Sequence, residues 1–132
     1  MRLFLLLLAS VSAFAQSSAP ACDGEVAVVR VSAVKPGGTM EGLLAAVAAQ
    51  KEWYKANGAP DEIFVARVIE GDRKTGARKY SETVALTYHI RPQTPVQLPN
   101  RGDAAWNAFS KLFQENSEIK NEYTTCMPKR GK

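Results

Sequence analysis

The sequence contains few of the residue types from which enzyme centres and metal sites are built. It has one histidine and two cysteines among 132 residues. A metal site with several histidine ligands is therefore excluded, and a Ser–His–Asp triad could form only around His89. No cofactor-binding signature occurs either, so we expect neither a cofactor nor a metal. A hydrogen-bonded structural histidine is the first interpretation of His89, and a catalytic acid or base or a ligand contact is the alternative.

Apolar runs long enough to cross a membrane are also lacking. The N-terminal run from Leu3 to about Val11 is shorter than the roughly 20 residues that span a bilayer. It follows one arginine and precedes the small-x-small sequence of residues 13–15, which is typical of a signal-peptidase site. We interpret residues 1–15 as a cleaved signal peptide and residues 16–132 as a single domain, secreted or periplasmic, with no stable membrane insertion.

The net charge of +4 is modest, and its excess is dispersed. Much of it lies in a loop, "GDRKTGARK", and in the tail, "PKRGK". A nucleic-acid-binding protein would gather lysine and arginine along one helix or one face, so we expect no nucleic-acid partner. Solvated loops are the simpler interpretation, and weak contact with an anionic surface is the alternative.

Four segments have clear secondary-structure signals. The segment after Thr39, a plausible N-cap, has helical periodicity and stops at Gly58 and Pro60. The other three are rich in β-branched and aromatic residues, and the last two are joined by what we predict to be a long, mobile hairpin loop. The predicted elements are strand Glu25–Val34, helix Met40–Asn57, strand Glu62–Glu70 and strand Tyr80–Ile90.

The C-terminal part is predicted as a helix followed by a short strand. Asp103–Tyr123 has an aromatic stripe at helical spacing, with Asp103 as N-cap. Asn116 lies in the middle of that stripe, so the helix either continues with a buried amide or breaks at "ENSE", where Ser117 would cap a short second segment. Residues 124–130, "TTCMPKR", are a possible edge strand.

The order strand, helix, strand, strand, helix, strand predicts an α+β, ferredoxin-like fold. In this βαββαβ arrangement a four-stranded antiparallel sheet carries two helices on one face. The last strand lies beside the first, which brings Cys22 next to Cys126. Because an exported chain is oxidised, we expect a disulfide that stabilises by about 4 kcal/mol in the chain-entropy model. Two free thiols are the alternative.

Both faces of the predicted sheet are apolar, although one ferredoxin-like layer needs only one apolar face. In the first strand Val26 and Val28 share one face, and Val29 and Val31 the other. In the second strand Ile63, Val65 and Ile69 alternate with Phe64, Ala66 and Val68. In the third, one face has Val84, Leu86, Tyr88 and Ile90, and the other has Ala85, Thr87 and His89. The single domain has no further element to cover the second face. We therefore predict a homodimer that packs sheet to sheet.

This order of elements, the two-sided sheet and the helix "AWNAF…ENSEIKNEY" resemble the dimeric α/β-barrel superfamily, including antibiotic biosynthesis monooxygenase-like and NIPSNAP-like domains. The resemblance implies a pocket between helices and sheet, but no single reaction, because the superfamily includes cofactor-independent oxygenases, haem-degrading enzymes, isomerases and proteins without known activity. The haem-degrading branch is similar in using histidine, asparagine and tryptophan, and this chain has His89, Asn116 and Trp106. The resemblance assigns no role to these three residues.

The candidate ligand-binding residues are Arg67, His89, Trp106, Phe109 and Asn116. Trp106 and Phe109 are either core or the wall of a pocket with Asn116 at its mouth. Arg67, like Arg30, interrupts an apolar strand, where it either pairs with a nearby glutamate or binds an anion such as a carboxylate.

The sequence favours a domain that binds a small apolar or aromatic molecule, without assured catalysis. A cofactor-independent monooxygenase or isomerase, with His89 as a weak catalytic candidate, is the second hypothesis. The third is a protein-interaction module in which residues 71–79 dock a partner.

Overall fold

The computed structural model describes residues 21–91, 98 and 100–129. The predicted signal peptide lies outside these residues. The six elements are β1 (Glu25–Val34), α1 (Met40–Ala56), β2 (Glu62–Gly71), β3 (Arg78–Arg91), α2 (Ala104–Asn116) and β4 (Ser117–Met127). They follow one another in the order βαββαβ, which confirms the predicted ferredoxin-like α+β fold.

The four strands form one antiparallel sheet in the order β2-β3-β1-β4, so that β2 and β4 are its edges. Cys22, just before β1, is joined to Cys126 of β4 by a disulfide with a Cα–Cα distance of 5.6 Å. The predicted pairing is confirmed, and it ties the C-terminal edge strand to the start of the chain.

The second helix ends at Asn116, seven residues before the predicted end at Tyr123. The backbone is extended at Ser117, and residues 117–127 hydrogen-bond along β1. The helix thus breaks within "ENSE", which was one of the two alternatives, but Ser117 begins a strand and not a second helical segment, so the helical placement of Ile119 and Tyr123 was wrong. Their spacing suits a helix, but the segment is also rich in β-prone residues, and the open edge of β1 offers partners for its whole backbone.

The β2–β3 loop is shorter than predicted, because both strands extend further into it. It comprises residues 72–77, and the carboxylate of Asp72 accepts a hydrogen bond from the backbone N–H of Lys74 at 2.8 Å. This bond, together with those from Thr75, lowers the pKa of Asp72. The loop is therefore a closed turn with its own internal hydrogen bonds.

The main core lies between the helices and one face of the sheet, here called the helix face. Its buried residues are Met40, Leu43, Val47, Trp53, Tyr54, Ile63, Ala85 and Phe109. Trp53 of α1 is only 4% exposed. Its indole is a central core group, enclosed by Tyr54, Trp106 and Phe109.

The opposite face of the sheet, here called the outer face, is apolar as predicted. A second cluster with no helix residue lies there, and consists of Ala27, Val29 and Ile90 with Phe64, Leu86, Tyr88 and Met127 around them. The rings of Phe64 and Tyr88 stack at 4.7 Å. Four of these residues, Phe64, Leu86, Tyr88 and Met127, remain partly exposed.

Candidate functional site

A cavity of about 530 Å³ opens between α2 and the helix face of the sheet. Its floor is formed by polar side chains of β1 and β3, including Ser32, Thr87 and His89. Its opposite wall is α2. The volume falls within the range of about 300–1,000 Å³ that is usual for small-molecule sites.

The wall contributed by α2 is aromatic because its rings recur at helical spacing. Trp106, Phe109 and Phe113 are three and four residues apart and so lie on one side of the helix. Trp106 and Phe109 meet edge to face at 4.9 Å. Phe109 is buried, whereas Trp106 and Phe113 are only partly buried. The same stripe thus serves as core at its centre and as cavity wall at its margins.

Asp103 fixes the start of α2 and hence the position of this wall. Its carboxylate accepts a hydrogen bond from the backbone N–H of Trp106 at 2.7 Å, which confirms the predicted N-cap. It also accepts a bond from the indole Nε1–H of Trp53 at 3.0 Å. One side chain therefore caps α2 and anchors it to α1.

His89 lies on the floor of the cavity and is bonded to an aspartate that the sequence did not single out. Its Nε2 is 2.8 Å from Oδ1 of Asp61, and the side chains are 7% and 11% exposed. Burial lowers the pKa of His89, the positive charges of Arg91 and Arg30 lower it further, and Asp61 opposes them. The imidazole is therefore neutral at neutral pH, with Asp61 orienting the ring.

Three arginines line the cavity, namely Arg30, Arg91 and Arg101. Nε of Arg30 donates to Glu122 at 2.6 Å, and the guanidinium of Arg101 lies 5.3 Å from the centre of the Trp106 ring. Sequence reasoning missed Arg91 and Arg101, because one is the last residue of β3 and the other lies just before α2, where no periodic pattern marks a face. Among the described lining residues there is no aspartate or glutamate.

Of the five predicted ligand-binding residues, the cavity is lined by His89, Trp106 and Phe109. Arg67 lies elsewhere, on edge strand β2, where its Nη2 donates to the carbonyl of Ser81 at 2.9 Å and to Glu82 at 3.1 Å. Its guanidinium also lies over the ring of Tyr80. Arg67 thus has the paired role that the sequence offered as one alternative.

Asn116 joins the end of α2 to the start of α1 rather than lining the cavity. Its Oδ1 accepts a bond from the backbone N–H of Thr39 at 3.0 Å, and its Nδ2 donates to the carbonyl of Leu112 at 2.9 Å. The contact is so close that a Cβ added to Gly42 would lie 2.0 Å from Oδ1. The amide is satisfied by backbone groups.

No group of three or more histidine, cysteine, aspartate or glutamate side chains that could hold a metal occurs within the described ranges. None of the helices described there is long and apolar enough to cross a membrane. No protein-family model, curated protein or solved structure matches this chain.

Proposed function

We propose that the protein binds a small apolar or aromatic molecule in the cavity between α2 and the sheet. The observation that carries this proposal is the aromatic wall, where Trp106 and Phe113 remain partly exposed beside a space of about 530 Å³. Partly exposed rings gain free energy when a flat apolar ligand covers them. The polar floor would fix the orientation of that ligand.

The proposal includes a homodimer, with two outer faces packed together, as in the dimeric α/β-barrel superfamily that the chain resembles. It is supported by the partly exposed apolar residues of the outer face, among them Leu86 and Tyr88, and by the exposure of Tyr123. A second copy would remove this surface from water. Each protomer would keep its own cavity, because the cavity lies on the other side of the sheet.

The protein is proposed to work outside the cytoplasm. The Cys22–Cys126 disulfide supports this, because such bonds persist in oxidising compartments. Residues 1–15 would be the signal peptide that delivers it.

Filling the cavity should weaken binding without unfolding the protein. Ser110 lines the cavity from α2, and Ser110→Phe places a ring in that space. We expect the neutral fluorescent probe N-phenyl-1-naphthylamine to bind the wild-type protein with an increase in emission, and to lose at least about tenfold in affinity in the variant. The matched control is Ala108→Phe, which adds the same ring to an exposed position of α2.

The control should bind as the wild type does, and both variants should keep the wild-type melting temperature to within a few degrees. Equal probe binding by the wild-type protein and Ser110→Phe would show that the probe binds elsewhere. This would contradict the proposal.

A second candidate function is cofactor-independent acid–base catalysis, as a monooxygenase or isomerase. It is favoured by one observation: the His89–Asp61 pair lies at the cavity floor with the imidazole neutral. A neutral, oriented imidazole can take a proton from a bound substrate, and burial keeps it unprotonated. Turnover lost in His89→Gln with the fold intact would identify this function.

The catalytic candidate requires His89 to titrate below its ordinary pKa of 6.5. The chain has one histidine, so its Hε1 proton gives a single assignable resonance. We expect an NMR titration midpoint below 6.5, and a still lower midpoint in Asp61→Asn, which removes the group that opposes the shift.

The same shift makes stability depend on pH. Since the folded protein binds this proton more weakly than the unfolded chain does, the free energy of unfolding should fall as the pH drops from 6.5 through the folded-state pKa. His89→Gln should remove that component. A midpoint at or above 6.5 would contradict the neutral imidazole on which the candidate rests.

A further inference from the structure

The charges of the cavity indicate more about its ligand than the aromatic wall does. We infer that the ligand is an aromatic carboxylate, whose carboxylate binds beside His89 between Arg30 and Arg91 while its ring packs against Trp106 and Phe109. This inference rests on the proposed function, and it adds the chemical class of the ligand.

The register of the sheet places the two arginines on either side of His89. On the helix face Arg30 lies opposite Thr87, and His89 lies opposite Val28 one level further along. Arg91 lies at the next level, opposite Val26. Both guanidinium groups act on the imidazole, since both contribute to lowering the pKa of His89. Both positive charges therefore act on the same part of the cavity floor, around His89.

These positive charges are only partly neutralised by the protein. Glu122 pairs with Arg30, but the bond is made by Nε and not by the two terminal nitrogens of the guanidinium. Asp61 is bonded to His89 and, like Glu122, does not line the cavity. Arg91 makes no ion pair with a described residue. A ligand that enters thus meets an excess of positive charge and no described carboxylate.

An anionic group suits this floor better than a neutral one. Guanidinium groups present several N–H donors in a fixed fork, which matches the two oxygens of a carboxylate. Thr87 and Ser32 add hydroxyl groups on the same face. Thr87 and His89 on the floor are buried, so that charge-assisted hydrogen bonds there are stronger than at an open surface. The aromatic wall opposite then selects a ring as the body of the ligand.

Arg101 extends the same chemistry to the cavity wall. Its guanidinium carbon lies over the Trp106 ring, 5.3 Å from the ring centre, beside the position proposed for the aromatic body of the ligand. Positive charge therefore lies next to the aromatic wall as well as on the floor.

The test compares two probes of nearly the same size, 2-naphthoate and 2-naphthamide, by isothermal titration calorimetry. We expect the wild-type protein to bind naphthoate at least about tenfold more tightly, the effect of one or two charge-assisted hydrogen bonds. Arg91→Gln should remove most of this preference by weakening naphthoate binding alone, and Arg91→Lys should restore part of it. The control is Arg73→Gln, which makes the same change of charge in the exposed β2–β3 turn.

His89 provides a second, local readout. A carboxylate bound beside the imidazole stabilises its protonated form, and the amide does not. The NMR titration midpoint of His89 should therefore be higher in the naphthoate complex than in the naphthamide complex. A merely structural role of Arg91 would not produce this difference between two probes of matched size.

The outcomes separate the inference from the proposed function. If both probes bind equally, or naphthamide binds more tightly, the carboxylate inference is overturned and the aromatic site stands. If Arg73→Gln weakens naphthoate binding as much as Arg91→Gln does, the preference is an effect of net charge, and the assignment to Arg91 is overturned. If neither probe binds, the proposed function fails together with the inference.

Discussion

Loss of the Cys22–Cys126 disulfide is expected to reduce the free energy of unfolding by about 4 kcal/mol, because the bond closes a loop with a sequence separation of 104 residues. Few other interactions would compensate for the loss of this bond. β4 is an edge strand whose residues are mostly exposed, so its attachment relies on backbone hydrogen bonds to β1, on the Arg30–Glu122 pair and on this covalent link. For a domain of this size the loss corresponds to a fall in melting temperature of about 15 °C.

The experiment compares melting curves of the oxidised protein, the reduced protein and the double variant Cys22→Ser/Cys126→Ser. Free cysteines are absent and the chain has only these two, so reductant can act at one place. The reduced protein and the double variant should melt at similar, lower temperatures, and the variant should not respond to reductant. An unchanged melting temperature in protein whose reduction is verified by mass would refute this account of how β4 is held.

Leu86→Lys is expected to convert the proposed dimer into a monomer. Leu86 lies on the outer face opposite Val31 of β1 and Ala66 of β2, at the centre of the sheet. In a two-fold symmetric dimer the substitution is present in both protomers, so two lysines would be buried in the same apolar interface. An unpaired charge in such a contact costs several kcal/mol, which should raise the dissociation constant by about a hundredfold or more.

Sedimentation velocity at tens of micromolar protein measures this directly. The wild-type protein should sediment as a dimer, and Leu86→Lys as a monomer with a similar circular dichroism spectrum. Ala48→Lys makes the same change of charge at an exposed position of α1 and should remain a dimer. A monomeric wild-type protein would contradict the proposed dimer.

The fold could be predicted where local signals and long-range constraints agreed. The Pro-Gly-Gly turn after β1 and the Thr39 cap place the start of α1 at the predicted residue. The disulfide linked the two ends of the chain independently of the strand patterns. The sequence left open whether α2 continues or breaks at "ENSE", because Ile119 and Tyr123 suit both the helical and the strand period. The choice depends on the free edge of β1, which no local pattern records.

The site could be predicted in part, for a similar reason. Helical spacing alone placed Trp106 and Phe109 together. Strand alternation put His89 on one face with Ala85 and Thr87, but only the structure shows that this is the helix face. Arg67 has the same alternation, but β2 is the edge strand away from α2. Arg67 is therefore outside the cavity because of the strand order, which the alternation pattern does not reveal. Asp61 lies 28 residues from His89 and reaches it only through the β2–β3 register, which pairs Ile63 with His89.

The central claim is that the cavity behind Trp106 is a ligand site. The most direct test is a set of ¹H–¹⁵N correlation spectra recorded during titration with 2-naphthoate. We predict that the indole N–H of Trp106 and the backbone amides of Phe109, Thr87 and Arg91 move together and saturate, while the backbone amides of Lys74 and Thr75 in the β2–β3 turn stay in place. Saturable shifts confined to residues far from the cavity, or none anywhere, would contradict the claim.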